Sequence, residues 1–178
     1  MEEINRIQAI ITEIINIIPI INKHLMTSFS RIEGHGYQFK EQDVVSQIDH
    51  EVGQIIGEKI VSKFPELALD SEEIKERTQE KEIVMRIDPV DGSKYYISNI
   101  ELFTTVVSLE SRSHGVLFGL VLNPFSQKYY YAEKGHGFYV CKKKIESVPC
   151  SIKENFLFIE HPTSKLYREN PEKFHTYL

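Results

Sequence analysis

Isoleucines recur at intervals of three and four residues near the start of the chain. This spacing lays one apolar stripe along a helix, and the helix is predicted to begin near Ile4. Packing of the stripe on the protein's own sheet is the commoner arrangement, and a partner-binding face is the alternative. Pro19 is predicted to kink or end the helix because it has no amide hydrogen. The stripe consists of Ile4, Ile7, Ile10, Ile11, Ile14, Ile15 and Ile18.

A second amphipathic pattern predicts a helix that ends near Lys63. Ser46 or Asp49 can cap its start, and Pro65 prevents its continuation. Before it, the glycines and polar residues of 30–38 indicate a loop, and 39–46 is typical of short extended pieces. The apolar side of the helix consists of Val52, Ile55, Ile56, Ile60 and Phe64.

Beyond a polar stretch at 75–81, which predicts an exposed loop, the pattern becomes typical of strands. Helices that precede a run of strands favour an α+β fold with helices layered on a largely antiparallel sheet, because doubly wound folds alternate the two element types. Five strands are predicted from their β-branched and aromatic residues: Ile83–Ile87, Phe103–Leu109, Val116–Leu122, Lys128–Ala132 and Phe138–Cys141.

The last residues predict the start of another unit. Residues 156–159 are apolar and typical of a strand, and 165–178 are polar and typical of a helix. One strand and one helix cannot bury a core of their own. We therefore expect one domain over residues 1–150 and the beginning of an incomplete second domain over 151–178.

The composition is that of a soluble globular protein, with 41% hydrophobic and 26% charged residues. A net charge of −5 provides no general attraction for nucleic acid or for an anionic membrane. Cys141 and Cys150 form neither a disulfide framework nor a metal cluster, which favours a reducing compartment. Glu2 and Glu3 at the start, with polar residues interrupting the apolar stretch, fit neither a signal peptide nor a membrane span. We expect a cytoplasmic protein.

The segment with the clearest chemistry is Asp88-Pro89-Val90-Asp91-Gly92-Ser93. Carboxylates at the end of a rigid strand, with a backbone carbonyl between them, suit Mg²⁺, which prefers oxygen ligands. Glycine lets the backbone approach a phosphate, and a helix that begins at Ser93 would present free amide groups to it. The alternative is a surface turn, because Pro, Asp and Gly are common turn residues for local reasons.

The same segment resembles the signature of the inositol monophosphatase family, Asp-Pro-(Ile/Val/Leu)-Asp-Gly-(Thr/Ser). Upstream, Asp43-Val44-Val45-Ser46-Gln47-Ile48-Asp49 is similar to the family's Asp-x-Val-Thr-x-x-Asp, Phe64-Pro65 to its Phe-Pro, and Ser71-Glu72-Glu73 to its Gly-Glu-Glu. Downstream, Gly119-Leu120-Val121 and Ala132-Glu133-Lys134-Gly135-His136-Gly137 follow its strand-and-turn pattern. The resemblance covers the chain from about residue 39 onward, and four elements in the family's order are far more specific than one.

This resemblance implies a sugar-phosphatase-like α+β domain and a set of site residues. Implied metal ligands are Glu72, Asp88, Asp91 and the carbonyl of Val90, with Mg²⁺ as cofactor. Glu72 also belongs to the implied catalytic group, in which Asp49 and Ser93 orient the attacking water. The amides of Gly92 and Ser93 would hold the substrate phosphate. The implied reaction is in-line attack of a metal-activated hydroxide on a small phosphate monoester, and the family also suggests a homodimer.

Three departures from the family pattern bear on the function. Ser71 replaces the glycine before the Glu-Glu pair, and Lys94 follows the signature as in relatives that resemble bisphosphate nucleotidases acting on phosphoadenosine phosphate. The chain also contains no tryptophan, whereas the family's final metal ligand belongs to a Trp-Asp motif in a second domain. We therefore expect a truncated relative, with impaired activity. A non-catalytic binding module and half of a split enzyme whose C-terminal domain is a separate chain remain open.

Overall fold

The computed structural model describes residues 2–32, 41–71 and 81–146, and the side chains within them except those of 2–4, 31–32, 41–46 and 49. The helices are α1 (Glu2–Ile32), α2 (Glu41–Ile56), which a π-helical turn (Gly57–Val61) extends, and α3 (Ser93–Ile97). The strands are β1 (Leu67–Asp70), β2 (Ile83–Asp91), β3 (Thr104–Ser111), β4 (Gly115–Asn123), β5 (Lys128–Glu133), β6 (Gly137–Val140) and β7 (Lys143–Ile145). The predicted second unit at 151–178 lies outside the described residues.

The seven strands form one sheet in the order in which they occur along the chain. β1 runs parallel to β2, with Leu67 opposite Ile83, and all the following pairs are antiparallel. The α+β prediction with a largely antiparallel sheet is confirmed, and each of the five predicted strands is present. The pattern missed β1 and β7. They have only four and three residues, and β7 is mostly lysine, so neither carries enough apolar alternation to be recognised.

The first helix is longer than the sequence indicated. It continues through Pro19 to Ile32, so of the two outcomes predicted for Pro19 an end of the helix is wrong. The loop predicted over 30–38 is wrong at 30–32, and residues 33–38 lie outside the described residues. The apolar stripe continues after the proline with Ile21, Leu25 and Phe29, all buried. Tertiary packing of that stripe outweighs the single backbone hydrogen bond that the proline removes, because most helix stability in proteins comes from such packing.

The second helix begins earlier than predicted. Residues 41–46 belong to α2, so the extended pieces predicted there are wrong, and Ser46 and Asp49 lie within the helix and do not cap it. β-Branched Val44 and Val45 favour strands by propensity, but the helix buries a continuous apolar side against the sheet, and such context overrides a weak local preference. The π-helical turn ends at Val61, close to the predicted end at Lys63.

One hydrophobic core joins the helices to one face of the sheet. Its α1 members include Ile10, Ile14 and Ile18, each at most 2% exposed, and they belong to one cluster with alternate residues of the central strands such as Leu109 and Leu120. The stripe predicted to pack on the protein's own sheet therefore does so. The opposite face of the sheet carries charged residues of β2 and also partly exposed apolar side chains, namely Val121, Tyr130, Phe138 and Ile145.

The apolar stripe also makes α1 comparable to a membrane span. Residues 5–30 have a mean hydropathy of 1.3, long and apolar enough by length and composition to cross a bilayer. A core helix near the N-terminus meets the same criterion. Here the most apolar positions of α1 face the sheet and are buried there, which explains the hydropathy through packing.

Four aromatic rings pack together and connect α1 to α3. Tyr96 of α3 is fully buried, and its ring centroid lies 4.9 Å from Phe103 and 5.4 Å from Phe29 of α1. Phe125, in the turn after β4, lies 5.3 Å from Phe29 and 5.2 Å from Phe103. Edge-to-face geometry of this kind adds stability beyond the buried area. We refer to Phe29, Tyr96, Phe103 and Phe125 as the aromatic cluster.

The phenol oxygen of Tyr96 is buried without a hydrogen-bond partner among the described residues. The pKa of Tyr96 is raised well above its ordinary value, mainly by burial and to a smaller extent by the negative charge of Glu51. The hydroxyl therefore stays protonated. An unpartnered buried hydroxyl is unfavourable.

We expect Tyr96→Phe to leave the free energy of unfolding unchanged or to raise it by about 1 kcal/mol, because the ring packing is kept and only the unpartnered hydroxyl is lost. Urea denaturation of the variant and the parent measures the difference. Leu109→Ala, which removes a buried side chain from β3, should cost about 2–5 kcal/mol in the same assay. A clear loss of stability in Tyr96→Phe would show that the hydroxyl has a partner.

At the other end of the sheet, Glu82 holds the turn between β3 and β4. Its carboxylate accepts hydrogen bonds from the hydroxyls of Ser111 (2.7 Å) and Ser113 (2.6 Å) and from the amide of Ser113 (3.1 Å). These bonds lower the pKa of Glu82 from 4.5 to about 2, and the bond from the Ser113 hydroxyl has the largest effect. Its stabilising effect is therefore complete above pH 4.5 and is lost as the pH falls toward 2.

We expect Glu82→Gln to flatten the decline of stability between pH 4.5 and about 2, because the variant has no carboxylate to protonate there. At neutral pH the variant should be less stable than the parent. Thermal unfolding followed by circular dichroism across this pH range provides the measurement, with Glu101→Gln at an exposed position as the control. Parallel pH profiles for Glu82→Gln and the parent would contradict the role given to Glu82.

Candidate functional site

The end of β2 contains a β-bulge at Pro89 and Val90. Asp88 lies opposite Val106 of β3, and Asp91 lies opposite Thr104. Between these two pairs the chain advances by three residues in β2 and by only two in β3. Proline cannot donate to a strand ladder, and a bulge is one of the few places in a sheet that accept it. The carbonyl of Pro89 accepts a hydrogen bond of 2.8 Å from the buried hydroxyl of Thr105, which holds the bulge to the neighbouring strand.

The bulge decides where the two carboxylates point. In a regular strand, residues three apart lie on opposite faces. Here Asp88 and Asp91 pair with Val106 and Thr104, which are two residues apart on β3 and therefore share a face. The one extra residue thus places both aspartates on the sheet face opposite the helices. The Thr104 hydroxyl lies 3.3 Å from an Asp91 carboxylate oxygen, consistent with this placement.

Backbone contacts fix the segment between the carboxylates. The amide of Val90 donates to Asp88 Oδ1 at 3.1 Å, while the Val90 side chain is buried in the core. The Val90 carbonyl accepts a hydrogen bond of 3.1 Å from the Ser93 hydroxyl. A turn held in this way presents the Asp88 carboxylate, the Asp91 carboxylate and the Val90 carbonyl from neighbouring positions, and all three supply oxygen atoms.

Gly92 makes the sharp change of direction from β2 into α3. Its φ of +103° lies in the left-handed region, and an added Cβ would come within 3.0 Å of the Leu102 carbonyl oxygen. Its own carbonyl accepts hydrogen bonds from the amides of Tyr95 (2.9 Å) and Tyr96 (3.2 Å), which begin the predicted helix at Ser93. The amides of Ser93 and Lys94 come before the amide of Tyr95, which is the first donor of the helix, and they have no acceptor within the helix.

A charged row on the same sheet face leads to the aspartates. Asp70 at the end of β1 lies opposite Arg86, whose guanidinium forms ion pairs with Asp70 and with Glu110 of β3. Arg86 precedes Asp88 by two residues on β2, and its positive charge is shared between the carboxylates of Asp70 and Glu110. Because β1 is parallel to β2, the chain leaves Asp70 toward the end of the sheet where Asp88 and Asp91 lie.

The structure brings together only part of the residue set implied by the sequence. Asp88, Val90, Asp91, Gly92 and Ser93 are adjacent at the end of β2. The backbone of Asp49 lies in α2, but its side chain, and the whole of Glu72, are outside the described residues. Among the residues the structure describes, no group of three or more His, Cys, Asp or Glu side chains could hold a metal ion.

Sequence reasoning did not find the residues of β2 and β3 that surround the two aspartates. Thr104 and Thr105 touch Asp91 and the bulge carbonyl, and Arg86 bridges the strands on either side of β2. The signal that could have found them is Pro89, which follows the predicted strand Ile83–Ile87 by two residues; a strand that continues through a proline indicates a bulge held by the neighbouring strand. The strand register needed to locate these partners is not encoded locally.

Comparison with known proteins supports the resemblance seen in the motifs. The sequence model of the Inositol monophosphatase family matches residues 4–175. The chain is 32% identical over 123 residues to a fructose-1,6-bisphosphatase/inositol-1-monophosphatase of Aquifex aeolicus, covering 68% of this chain and 46% of that protein. It is 28% identical over 131 residues to the 3'(2'),5'-bisphosphate nucleotidase CysQ of Haemophilus influenzae, covering 71% of this chain and 47% of that protein.

Solved structures agree at the level of the fold. The extragenic suppressor protein suhB of Bartonella henselae superimposes with a TM-score of 0.64 at 20% identity, over 76% of this chain and 53% of that one. The chain spans about half the length of the curated relatives it matches, with 46% and 47% for the two given above.

We expect Gly92→Ala to lower the free energy of unfolding by about 1–3 kcal/mol, because alanine is strained at this φ and its Cβ would press on the Leu102 carbonyl. Gly57→Ala is the matched control, since an added Cβ there meets nothing within 4 Å. The control should be neutral or slightly stabilising. Urea denaturation compares the two, and equal effects would contradict the constrained turn.

Proposed function

The chain belongs to the inositol monophosphatase family, and we propose that its bulged turn takes part in magnesium-dependent hydrolysis of a small phosphate monoester. The observation that carries the proposal is the placement of Asp88 and Asp91 on one sheet face beside the left-handed Gly92. A surface turn formed only for local reasons would need neither the bulge nor the tight approach of Gly92 to Leu102.

The donor set fits Mg²⁺. Two carboxylates and the Val90 carbonyl are hard oxygen ligands, and they are held by a strand and a bulge instead of a loose loop. The guanidinium of Arg86 forms ion pairs with Asp70 and Glu110. Glu72 would add a carboxylate from the segment that follows β1. A bound Mg²⁺ would supply the positive charge that neutralises phosphate oxygens during the reaction.

The remaining groups would position the substrate and the attacking water. The amides of Gly92 and Ser93 would hold the phosphate, because Gly92 lets the backbone approach closely. The Ser93 hydroxyl, which donates to the Val90 carbonyl in this structure, has free lone pairs with which to orient a water. Asp49 would help to orient the same water and would take up its proton.

A small phosphorylated molecule is the substrate class that this arrangement serves. Inositol monophosphate is our first candidate because of the family. A phosphorylated nucleotide such as phosphoadenosine phosphate is the second, because Lys94 follows the signature and the chain is similar to a bisphosphate nucleotidase. Lys94 is exposed on α3 and would be free to meet a second phosphate. A homodimer and a cytoplasmic location remain predictions.

The test is phosphate release by the 178-residue chain from inositol monophosphate and from phosphoadenosine phosphate, with and without Mg²⁺. We expect magnesium-dependent release that Asp91→Ala lowers by at least about 100-fold, since a metal ligand stabilises the transition state by several kcal/mol. Glu133→Ala is the matched control, because it removes a carboxylate at the opposite end of the sheet. The better substrate of the two identifies the substrate class.

Direct Mg²⁺ binding separates an inactive chain from a wrong site. Titration calorimetry should show binding by the parent and by Glu133→Ala, and loss of binding in the double variant Asp88→Ala/Asp91→Ala. Binding without turnover would favour the non-catalytic module or a half of a split enzyme. If the double variant bound Mg²⁺ as tightly as the parent, the metal site would have to be abandoned.

A further inference from the structure

Arg86 and Asp88 lie on the same face of the sheet, because they are two residues apart on a regular part of β2. This spacing puts their Cα atoms about 7 Å apart. Asp70 lies directly opposite Arg86 on the parallel strand β1. Asp70 and Asp88 are therefore diagonal neighbours, with Cα atoms about 7–8 Å apart, and side chains at such positions remain within reach of one another. A further carboxylate thus lies beside the two that we propose as metal ligands.

The guanidinium of Arg86 binds this further carboxylate. Its Nη1 atom donates to Oδ2 of Asp70, and its Nε atom donates to Oε2 of Glu110 at 3.2 Å. Glu110 is held in turn by the Ser108 hydroxyl, which donates to Oε1 at 3.2 Å. The Asp70 side chain is only 21% exposed, so its charge needs a partner. Among the residues that the structure describes, Arg86 is the one cation that forms an ion pair with Asp70.

The number of carboxylates around a divalent cation affects which ion the site prefers. Mg²⁺ requires a strict octahedral geometry and keeps several waters, whereas Ca²⁺ is larger and accepts more oxygen ligands in a flexible geometry. The proposed ligands already include the carboxylates of Asp88 and Asp91. If the Asp70 carboxylate were released, it would add a ligand and a negative charge, and both additions favour Ca²⁺.

We propose that Arg86 makes the metal site selective for Mg²⁺ over Ca²⁺ by holding the Asp70 carboxylate away from the bound cation. The inference rests on the proposed function, because it requires that Asp88 and Asp91 bind the ion. Arg86 acts through Asp70 and does not contact the cation, so it is a positioning residue. Its positive charge also weakens the binding of either ion, because like charges repel over this distance.

The preference between the two ions distinguishes this role from a structural one. An ion pair between partly exposed side chains contributes little to the free energy of folding. If Arg86 only joined β1, β2 and β3, its removal would change stability and leave the ratio of the Mg²⁺ and Ca²⁺ affinities as it is. A change in that ratio requires that a ligand of the cation is gained or lost.

The test is titration calorimetry of the 178-residue chain with Mg²⁺ and with Ca²⁺ at constant ionic strength. Arg86→Gln should bind Mg²⁺ roughly 3–10-fold more tightly, because a positive charge about 7 Å away is removed, and the gain for Ca²⁺ should be larger. Asp70→Asn/Arg86→Gln has the same net charge as the parent and lacks the released carboxylate, so both affinities should return to the parental values. An unchanged ratio of the two affinities in Arg86→Gln, or weaker binding of both ions, would overturn the proposal.

Two single variants complete the test. Asp70→Asn should weaken the binding of both ions equally, because Asp70 does not reach the cation in the parent. A larger loss for Ca²⁺ would show that Asp70 is already a ligand and would overturn the proposal, even if Arg86→Gln did not fold. Lys128→Gln removes an exposed positive charge of β5, three strands from β2 and about 14 Å away, and should change neither affinity because salt screens that distance.

The result for the parent separates this inference from the proposed function. If the parent binds neither ion, the proposed metal site and the role of Arg86 both fail. If the parent binds Mg²⁺ and Asp88→Ala/Asp91→Ala does not, but Arg86→Gln keeps the parental ratio of affinities, the metal site stands and only the role of Arg86 fails.

Discussion

The β-bulge at Pro89 and Val90 is the constraint on which the candidate site depends. One extra residue in β2 changes the register against β3, so that two aspartates three positions apart reach the same face of the sheet. The same bulge accommodates Pro89 within β2, buries the Val90 side chain, and brings the Val90 carbonyl to the Ser93 hydroxyl. Thr105 fixes it from the neighbouring strand through a buried hydrogen bond. The placement of the two carboxylates and the packing of β2 therefore depend on the same β-bulge.

The layer of helices holds that irregularity in place. α3 is only one and a half turns long and would not be stable alone. It is fixed because the Tyr96 ring is buried between α1 and the start of β3, where the aromatic cluster joins four separate parts of the chain. The long first helix matters here, since Phe29 lies ten residues beyond the proline that the sequence suggested as its end. The packing of α1 thus reaches the turn that would bind phosphate.

Local chemistry was readable in the sequence, and long-range geometry was not. The Asp-Pro-Val-Asp-Gly-Ser segment was recognisable from its residue types alone, and the structure has it at the end of β2 and the start of α3; its role as a metal site stays a prediction. The strand pattern found five of the seven strands that the described residues contain, since alternation depends only on neighbours. The errors lie where distant packing decided the outcome, as in the continuation of α1 past Pro19, the early start of α2, and the short strands β1 and β7.

By itself the sequence determined the α+β class, the apolar sides of the two long helices, and the residue types of an oxygen-rich turn. These follow from periodicity and side-chain chemistry, which are properties of a short segment. Only the tertiary structure decided that β1 is parallel to β2, that Asp88 and Asp91 share a face, and that Arg86 is held by Asp70 and Glu110. The physical reason is that strand register and burial are set by contacts between residues far apart in the chain, and no local pattern contains them.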